Sequence, residues 1–144
     1  MPDPLSDAEP FVSGLRLGVM RLARRLRRER GDEDLTLTQL ALLGTLEMNG
    51  SSTLGELAAE ERISAPSVTR IVNAMVEAGL VTRRAHETDG RQVVAELTPA
   101  ATTLLDRNRR QRNLWLAEQV SHLSSEQHDV LRQAIDILDE MARA

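Results

Sequence analysis

The 144-residue sequence predicts a mainly α-helical fold that carries one small β-hairpin. Residues 53–79 contain two short amphipathic helical segments joined by a few residues, which is the helix-turn-helix arrangement. Two β-prone runs, residues 80–85 and 92–97, follow on either side of an Asp-Gly pair that favours a hairpin turn. Longer helical patterns lie on both sides of this block. The sequence therefore predicts a winged helix-turn-helix, in which the hairpin is the wing, flanked by long N- and C-terminal helices.

The second helix of the pair, residues 64–79, is the most informative stretch. Ser64 is a favourable N-cap, and Gly79 supplies the stop. One face is apolar at helical spacing, whereas the opposite face carries short polar side chains and one arginine. That polar face consists of Pro66, Ser67, Thr69, Arg70 and Asn73. Most polar helix faces are only solvated, but these side chains are short enough to approach a base edge and a phosphate closely.

Capping signals place the remaining helices. Thr53 and Glu56 have capping-box spacing before the first helix of the pair, and residues 60–64 then form a tight connection. Thr36 and Gln39 begin an earlier helix, whose predicted buried face comprises Leu37, Leu40, Leu43 and Leu46. Because the second helix of a helix-turn-helix enters the major groove in DNA-binding proteins, residues 64–79 are the candidate recognition helix.

The net charge of −4 is unevenly distributed along the chain. Residues 16–30 hold seven arginines and one glutamate, whereas residues 113–144 hold six acidic residues and two arginines. Binding to nucleic acid depends on local patches within about a Debye length, roughly 8 Å, so an acidic mean is compatible with it. Two interpretations of the arginine cluster are open. In the first, it is a solvated helix face that can also pair with the acidic C-terminal helix of a partner chain; in the second, it contacts the DNA backbone. We favour the former.

Several function classes are excluded or disfavoured by what the sequence lacks. It contains no cysteine, which excludes disulfides and thiolate metal sites. It has no apolar run approaching the roughly 20 residues of a membrane span, and its acidic N-terminus is unlike a signal peptide, so we expect a cytoplasmic protein. No catalytic motif occurs, and the histidines match no usual metal spacing. We expect no enzymatic activity, no cofactor and no metal.

Five short motifs in order resemble one known family. They are Leu35–Gln39, Ser67–Arg70, Gly79–Arg84, Asp89–Arg91 and Leu97–Thr98. Each motif is common alone, but their order and spacing resemble the MarR family of bacterial transcription regulators over nearly the whole chain. The resemblance implies sequence-specific binding to double-stranded DNA. It also implies a dimer whose interface is formed by helices from both ends of the chain.

The chain accordingly divides into three predicted segments. Residues 1–34 form an N-terminal dimerisation helix, residues 35–98 the DNA-binding winged helix, and residues 99–144 the C-terminal dimerisation helices. The terminal helices carry more apolar surface than a small winged helix can cover, which favours burial against a second copy. Two recognition helices related by a two-fold axis would enter major grooves about 34 Å apart and require a near-palindromic site.

We predict a DNA-contacting role for two groups of side chains. Ser67, Thr69, Arg70 and Asn73 face the major groove, with Pro66 fixing the entry of the helix. On the wing, Arg91 is the candidate minor-groove arginine, and Arg83, Arg84 and Asp89 belong to the same predicted DNA-binding group. Asp89 orients either Arg91 or one of the strand pair Arg83 and Arg84; alternatively, Asp89 and Arg91 form only a weak hairpin ion pair. Gly90 stands where the family often has a second basic residue, which implies a weaker grip.

The expected function is that of a homodimeric repressor released from DNA by a small-molecule ligand. The resemblance implies a pocket for small aromatic or lipophilic anions between the dimer helices and the winged helix. Arg16, Met20, Leu46 and Trp115 are candidate lining residues, although Trp115 equally fits a core or interface position. Two alternatives remain: a winged-helix module for protein–protein contact, and a DNA binder that responds to no ligand.

Overall fold

The computed structural model describes residues 6–29 and 35–144, and over these residues it is mainly helical with one small antiparallel sheet. The predicted fold class is therefore confirmed. The elements in chain order are α1 (Glu9–Arg28), α2 (Leu37–Asn49), β1 (Ser51–Thr53), α3 (Leu54–Glu61), α4 (Ala65–Glu77), β2 (Val81–Ala85), β3 (Val93–Leu97), α5 (Pro99–Ser121) and α6 (Ser125–Arg143). The break predicted at residues 31–34 lies outside the described residues.

Reciprocal capping boxes mark where three of the helices begin. Thr36 accepts a hydrogen bond from the backbone N–H of Gln39 at 3.1 Å, and the Gln39 side chain accepts one from the Thr36 N–H at 2.9 Å. The same reciprocal pair forms at the start of α3 and of α6. These bonds satisfy backbone donors that the first helical turn leaves without partners. The predicted capping boxes of α2 and α3 are thus confirmed.

The sheet has the strand order β1–β3–β2, with both pairings antiparallel. β2 and β3 form the wing, and the loop between them spans residues 86–92. The backbone N–H of His86 donates to the carbonyl of Gln92 at 2.9 Å, and that of Gln92 donates to the carbonyl of Asp89 at 3.0 Å. Gly90 does not adopt a positive φ, so the Asp-Gly pair does not form the two-residue hairpin turn that it often signals. The hairpin itself is present as predicted.

The described chain forms two compact units, and the larger is the winged helix. This unit is the described part of residues 31–109. It therefore includes the beginning of α5, where Ala101 and Leu105 enter the core. Leu37, the first residue of α2, is exposed, contrary to the predicted buried face of this helix, whereas Leu42 is buried. The core comprises Leu42, Leu43, Leu46, Leu57, Val68, Val72, Met75, Leu80, Val81, Ala95, Ala101 and Leu105.

The second unit contains the described part of residues 1–30 together with residues 110–144. None of the residues of α1 or α6, both of which are described over their full length, is buried. Large apolar side chains are instead exposed on both helices: Phe11, Val12, Leu17, Val19, Met20, Leu22, Val130, Leu131, Ile135, Ile137, Leu138 and Met141. Among the described residues, no helix is long and apolar enough to cross a bilayer.

Thr98 joins three elements of the winged helix, and we expect its hydroxyl to contribute strongly to stability. The hydroxyl donates to the carbonyl of Gly79 at 2.7 Å and accepts from the N–H of Ala101 at 3.2 Å. Thr98→Val keeps the side-chain volume but removes both bonds. It should lower the free energy of unfolding by about 1–2 kcal/mol, measured by urea denaturation.

Thr103→Val is the matched control, because the Thr103 hydroxyl donates to the Pro99 carbonyl of its own helix at 3.1 Å. It should change the free energy of unfolding by less than about 0.5 kcal/mol. Equal effects of the two substitutions would contradict the role given to Thr98.

Candidate nucleic-acid interface

The orientation of α4 is fixed by its buried face and by its two ends. Val68, Val72 and Met75 are buried in the core, so the opposite face of the helix points outward. Ser64 caps the first turn by accepting from the N–H of Ser67 at 3.3 Å. Gly79 has φ +76° and ends the helix, since this left-handed conformation suits a residue without Cβ. The boundaries and the apolar face predicted for this helix are confirmed.

The outward face of α4 is polar and accessible, and it lines a shallow open groove. Pro66, Thr69, Arg70 and Asn73 are exposed, and Ser67 is half-buried. The groove is lined by Ala65, Pro66, Thr69, Arg70, Asn73, Ala74 and Glu77. The structure thus brings together four of the five residues predicted on this face around one concave surface.

Two hydroxyl groups on this face are already engaged, which limits what each can offer a ligand. The Thr69 hydroxyl donates to the Ala65 carbonyl at 3.1 Å, so Thr69 presents its methyl group and an acceptor lone pair. The Ser67 hydroxyl accepts from the Ser64 hydroxyl at 2.8 Å and retains its own proton for donation. The face therefore offers a donor at Ser67 and an apolar methyl group at Thr69.

The two arginines of β2 have different partners because successive strand residues point to opposite faces. Arg84 donates from Nη2 and Nε to one carboxylate oxygen of Glu96, at 2.8 and 3.1 Å. Arg83 donates from Nη1 to Oδ1 of Asn73 on α4. The sequence placed both Asn73 and Arg83 in the interface but gave no sign that they touch, since the contact depends on the docking of the hairpin against the helix.

The tip of the wing presents Arg91 to solvent. Its side chain is 98% exposed, and its Nε lies 4.0 Å from Oδ1 of Asp89. The same carboxylate oxygen accepts from the backbone N–H of Arg91 at 3.2 Å. Asp89 therefore contacts Arg91, whereas Arg83 and Arg84 bond to other residues. An exposed pair at this distance contributes little energy, so the guanidinium is available to another anion.

His86 organises the wing loop, a role that the sequence did not suggest. Its Nδ1 accepts hydrogen bonds from the backbone N–H groups of Thr88 and Asp89, at 3.3 and 3.1 Å. These bonds hold the chain between the end of β2 and the turn that carries Arg91. The only available signal is a histidine placed a few residues before an Asp-Gly pair, which is too common to be informative.

The residues predicted to line a ligand pocket lie in different surroundings. Arg16 lies beside Met20 in α1, with Nη1 3.9 Å from the sulfur, and the Trp115 ring centre lies 5.1 Å from the Arg25 guanidinium carbon. Leu46 is fully buried in the core of the winged helix. Its inclusion in the pocket is corrected, because its side chain has no accessible surface for a ligand. Over residues 6–29 and 35–144, no cluster of three or more carboxylate, histidine or cysteine side chains could hold a metal ion.

Sequence comparisons agree with this arrangement. The model of the MarR family matches residues 33–92. An uncharacterised HTH-type transcriptional regulator of Mycobacterium leprae is 40% identical over 136 residues, which is 94% of each chain. The chain belongs to the MarR family. It is therefore a helix-turn-helix transcriptional regulator and not an enzyme.

Solved structures show the same fold for this MarR-family regulator. A Pseudomonas aeruginosa protein assigned as a transcriptional regulator is 28% identical with a TM-score of 0.86, covering 96% of this chain and 99% of that one. A mutant MarR from E. coli complexed with operator DNA is 18% identical with a TM-score of 0.63, covering 95% and 99% of the two chains. The winged helix and the long terminal helices are thus a shared architecture.

Proposed function

We propose that this MarR-family regulator is a homodimeric repressor that acts in the cytoplasm, binds a near-palindromic site in double-stranded DNA and is released by a small-molecule ligand. The observation that carries the proposal is the outward polar face of α4 beside a wing with a fully exposed arginine. The similar E. coli fold is complexed with operator DNA, which supports the DNA-binding part of the proposal.

The chemistry of the α4 face fits the major groove. Arg70 offers a bidentate donor fork, Asn73 an amide, and Thr69 a methyl group of the kind that packs against thymine. A protein-binding surface more often carries aromatic side chains. The sequence has only two aromatic residues, Phe11 and Trp115, and neither lies in α4 or the wing. These features favour DNA over the alternative of a protein–protein module.

The wing adds a contact that depends on groove shape. Arg91 is the exposed cation at the turn of the hairpin. An arginine side chain is attracted to a narrow minor groove, where the negative potential is strongest. With α4 in the major groove and the hairpin at its flank, Arg91 would enter the adjacent minor groove. Arg84, in contrast, is bonded to Glu96 and would contribute mainly to the stiffness of the wing.

The terminal helices supply the interface for a second copy. Large apolar side chains are exposed along both α1 and α6, and large exposed apolar patches on soluble proteins usually mark an interaction surface. A two-fold dimer formed by these faces would present two α4 helices to one duplex. A spacing of about 34 Å between them corresponds to one helical turn of DNA, and the two-fold symmetry of the dimer requires a near-palindromic site.

Ligand release requires that a small molecule favour one of two dimer geometries. A compound that stabilises a spacing of the α4 helices unsuited to adjacent major grooves would lower operator affinity. Arg16 is exposed beside Met20, a combination of cation and soft apolar group suited to an aromatic carboxylate. A regulator that lacked such a response would be a constitutive DNA binder.

Arg91→Ala and Asn73→Ala should impair DNA binding in different ways. Arg91→Ala should weaken binding to all duplexes and lower the slope of log affinity against log salt by about one unit, whereas Asn73→Ala should mainly relax sequence preference. Both are measured by salt-dependent shift assays on the DNA upstream of the gene.

Arg143→Ala serves as the charge control, because this arginine lies in the last turn of α6 beside Asp139. It should bind like the wild type. Wild-type binding by both the Arg91 and the Asn73 variants would contradict the assigned contacts.

Leu138→Glu should disrupt the dimer, because it buries a charge in the apolar face of α6. We expect a shift from dimer to monomer in analytical ultracentrifugation, together with at least a ten-fold loss of operator affinity, since both half-sites must be held together. Gln133→Glu adds the same charge at a polar position of the same helix and should leave the dimer intact. A wild-type protein that is monomeric at micromolar concentration would overturn the proposed assembly.

Aromatic carboxylates such as salicylate should lower operator affinity, as measured in the same shift assay with increasing ligand. Arg16→Met should abolish this response without changing affinity in the absence of ligand, because it removes the cation and keeps the stem length. Arg21→Met, in the same helix, is the control and should respond like the wild type. Unchanged affinity of the wild type with every such compound would favour the constitutive binder.

A further inference from the structure

The contact between Arg83 and Asn73 links the wing to the recognition helix, and it bears on which base is recognised. We propose, on the basis of the DNA binding proposed above, that Arg83 is a positioning residue that fixes the amide orientation of Asn73. Asn73 thereby presents its amino group to the major groove and prefers guanine to adenine at the base pair that it contacts.

The orientation follows from the hydrogen-bonding capacities of the two groups. A guanidinium has only donors, and an asparagine amide has donors at Nδ2 and an acceptor at Oδ1. Arg83 donates from Nη1, so the end of the amide that faces the wing is Oδ1. Without a partner, the exposed amide of Asn73 would be able to rotate between its two orientations. The charge-assisted bond therefore selects one of them.

The selected orientation changes which base edge fits. An unconstrained asparagine pairs with adenine by accepting from N6 through Oδ1 and donating to N7 through Nδ2. With Oδ1 turned toward Arg83, the group left for the base is the Nδ2 amino group. Guanine presents two adjacent acceptors, N7 and O6, whereas adenine places its own N6 donor beside N7. An amino group approaching this edge is therefore better matched by guanine.

The strand geometry makes Arg83 suited to this role and supplies a control. Arg83 is the middle residue of β2 and is paired with Ala95 of the central strand β3, whose side chain is fully buried, so the backbone of Arg83 is held by the sheet. The neighbouring Arg84 lies on the opposite face and bonds to Glu96. The two arginines thus have the same charge and adjacent backbone positions, but only Arg83 bonds to the recognition helix.

The experiment compares base preference rather than affinity alone. The protein is titrated with the DNA upstream of its gene and with duplexes that carry a base-pair substitution at each operator position. The base pair recognised by Asn73 is the one at which the Asn73→Ala protein loses its base preference. Arg83→Met should reduce the preference for guanine over adenine at that pair by about ten-fold and leave preferences elsewhere unchanged.

Three further variants separate positioning from other roles. Arg83→Lys keeps a donor of similar reach and should restore part of the guanine preference. Arg83→Met should cause no further loss of preference in an Asn73→Ala background, because the two residues act through one amide. Arg84→Met should leave the base preference unchanged. Melting temperatures of all variants show that each protein is folded under the assay conditions.

Two results would overturn the inference, and they are distinguishable. If Arg83→Met weakens binding equally for all four bases, Arg83 contacts only the phosphate backbone, and the proposed function stands without the positioning role. If the wild-type protein shows no sequence-dependent binding to its upstream DNA, the proposed function fails and the inference fails with it.

Discussion

The burial of one face of α4 is the constraint on which the rest of the molecule depends. Val68, Val72 and Met75 are almost completely removed from solvent, and burial of each such side chain stabilises the fold by about 1.5–3 kcal/mol. Rotating α4 would expose this apolar stripe to water, so the polar face of the helix is held pointing outward. The surface assigned to DNA is thus held in place by the core, with no need for specific bonds along the face itself.

The distribution of charge explains how an acidic chain can still carry a selective basic surface. In the winged helix, Arg84 is bonded to Glu96, and Arg109 is bonded to Glu47 at 2.5 Å and to Asp106 at 2.9 Å. These pairs neutralise the charge of two arginines of the winged helix. The positive field of the exposed Arg91 at the wing turn is local, because it extends only about 8 Å at physiological salt. The negative net charge disfavours indiscriminate attachment to DNA, whereas exposed arginines allow binding at a local surface.

Much of the fold could be predicted because its signals are local in sequence. Thr36, Thr53 and Ser124 each bond to a residue three positions later, so a short pattern contains all the information that the cap requires. Helical periodicity likewise identified the buried stripe of α4. The prediction of the buried face of α2 was less accurate, because a leucine-rich helix fits more than one periodic stripe. Leu37 is exposed and Leu42 is buried. The division into dimerisation and DNA-binding segments stays a prediction.

The features that could not be predicted depend on packing between distant elements. Leu46 was assigned from the sequence both to a buried helix face and to a ligand pocket, and only the assembled core shows that its side chain is completely buried. The bond between Arg83 and Asn73 is a stronger example, because each residue was assigned separately to DNA. Ten positions separate them, across a helix end and a strand, so no periodic pattern joins them. Once the hairpin docks against α4, Arg83 bonds to Asn73 and restricts which hydrogen-bonding groups of that amide face outward. Sequence motifs can therefore indicate that a surface binds DNA, whereas the choice of base depends on contacts within that surface.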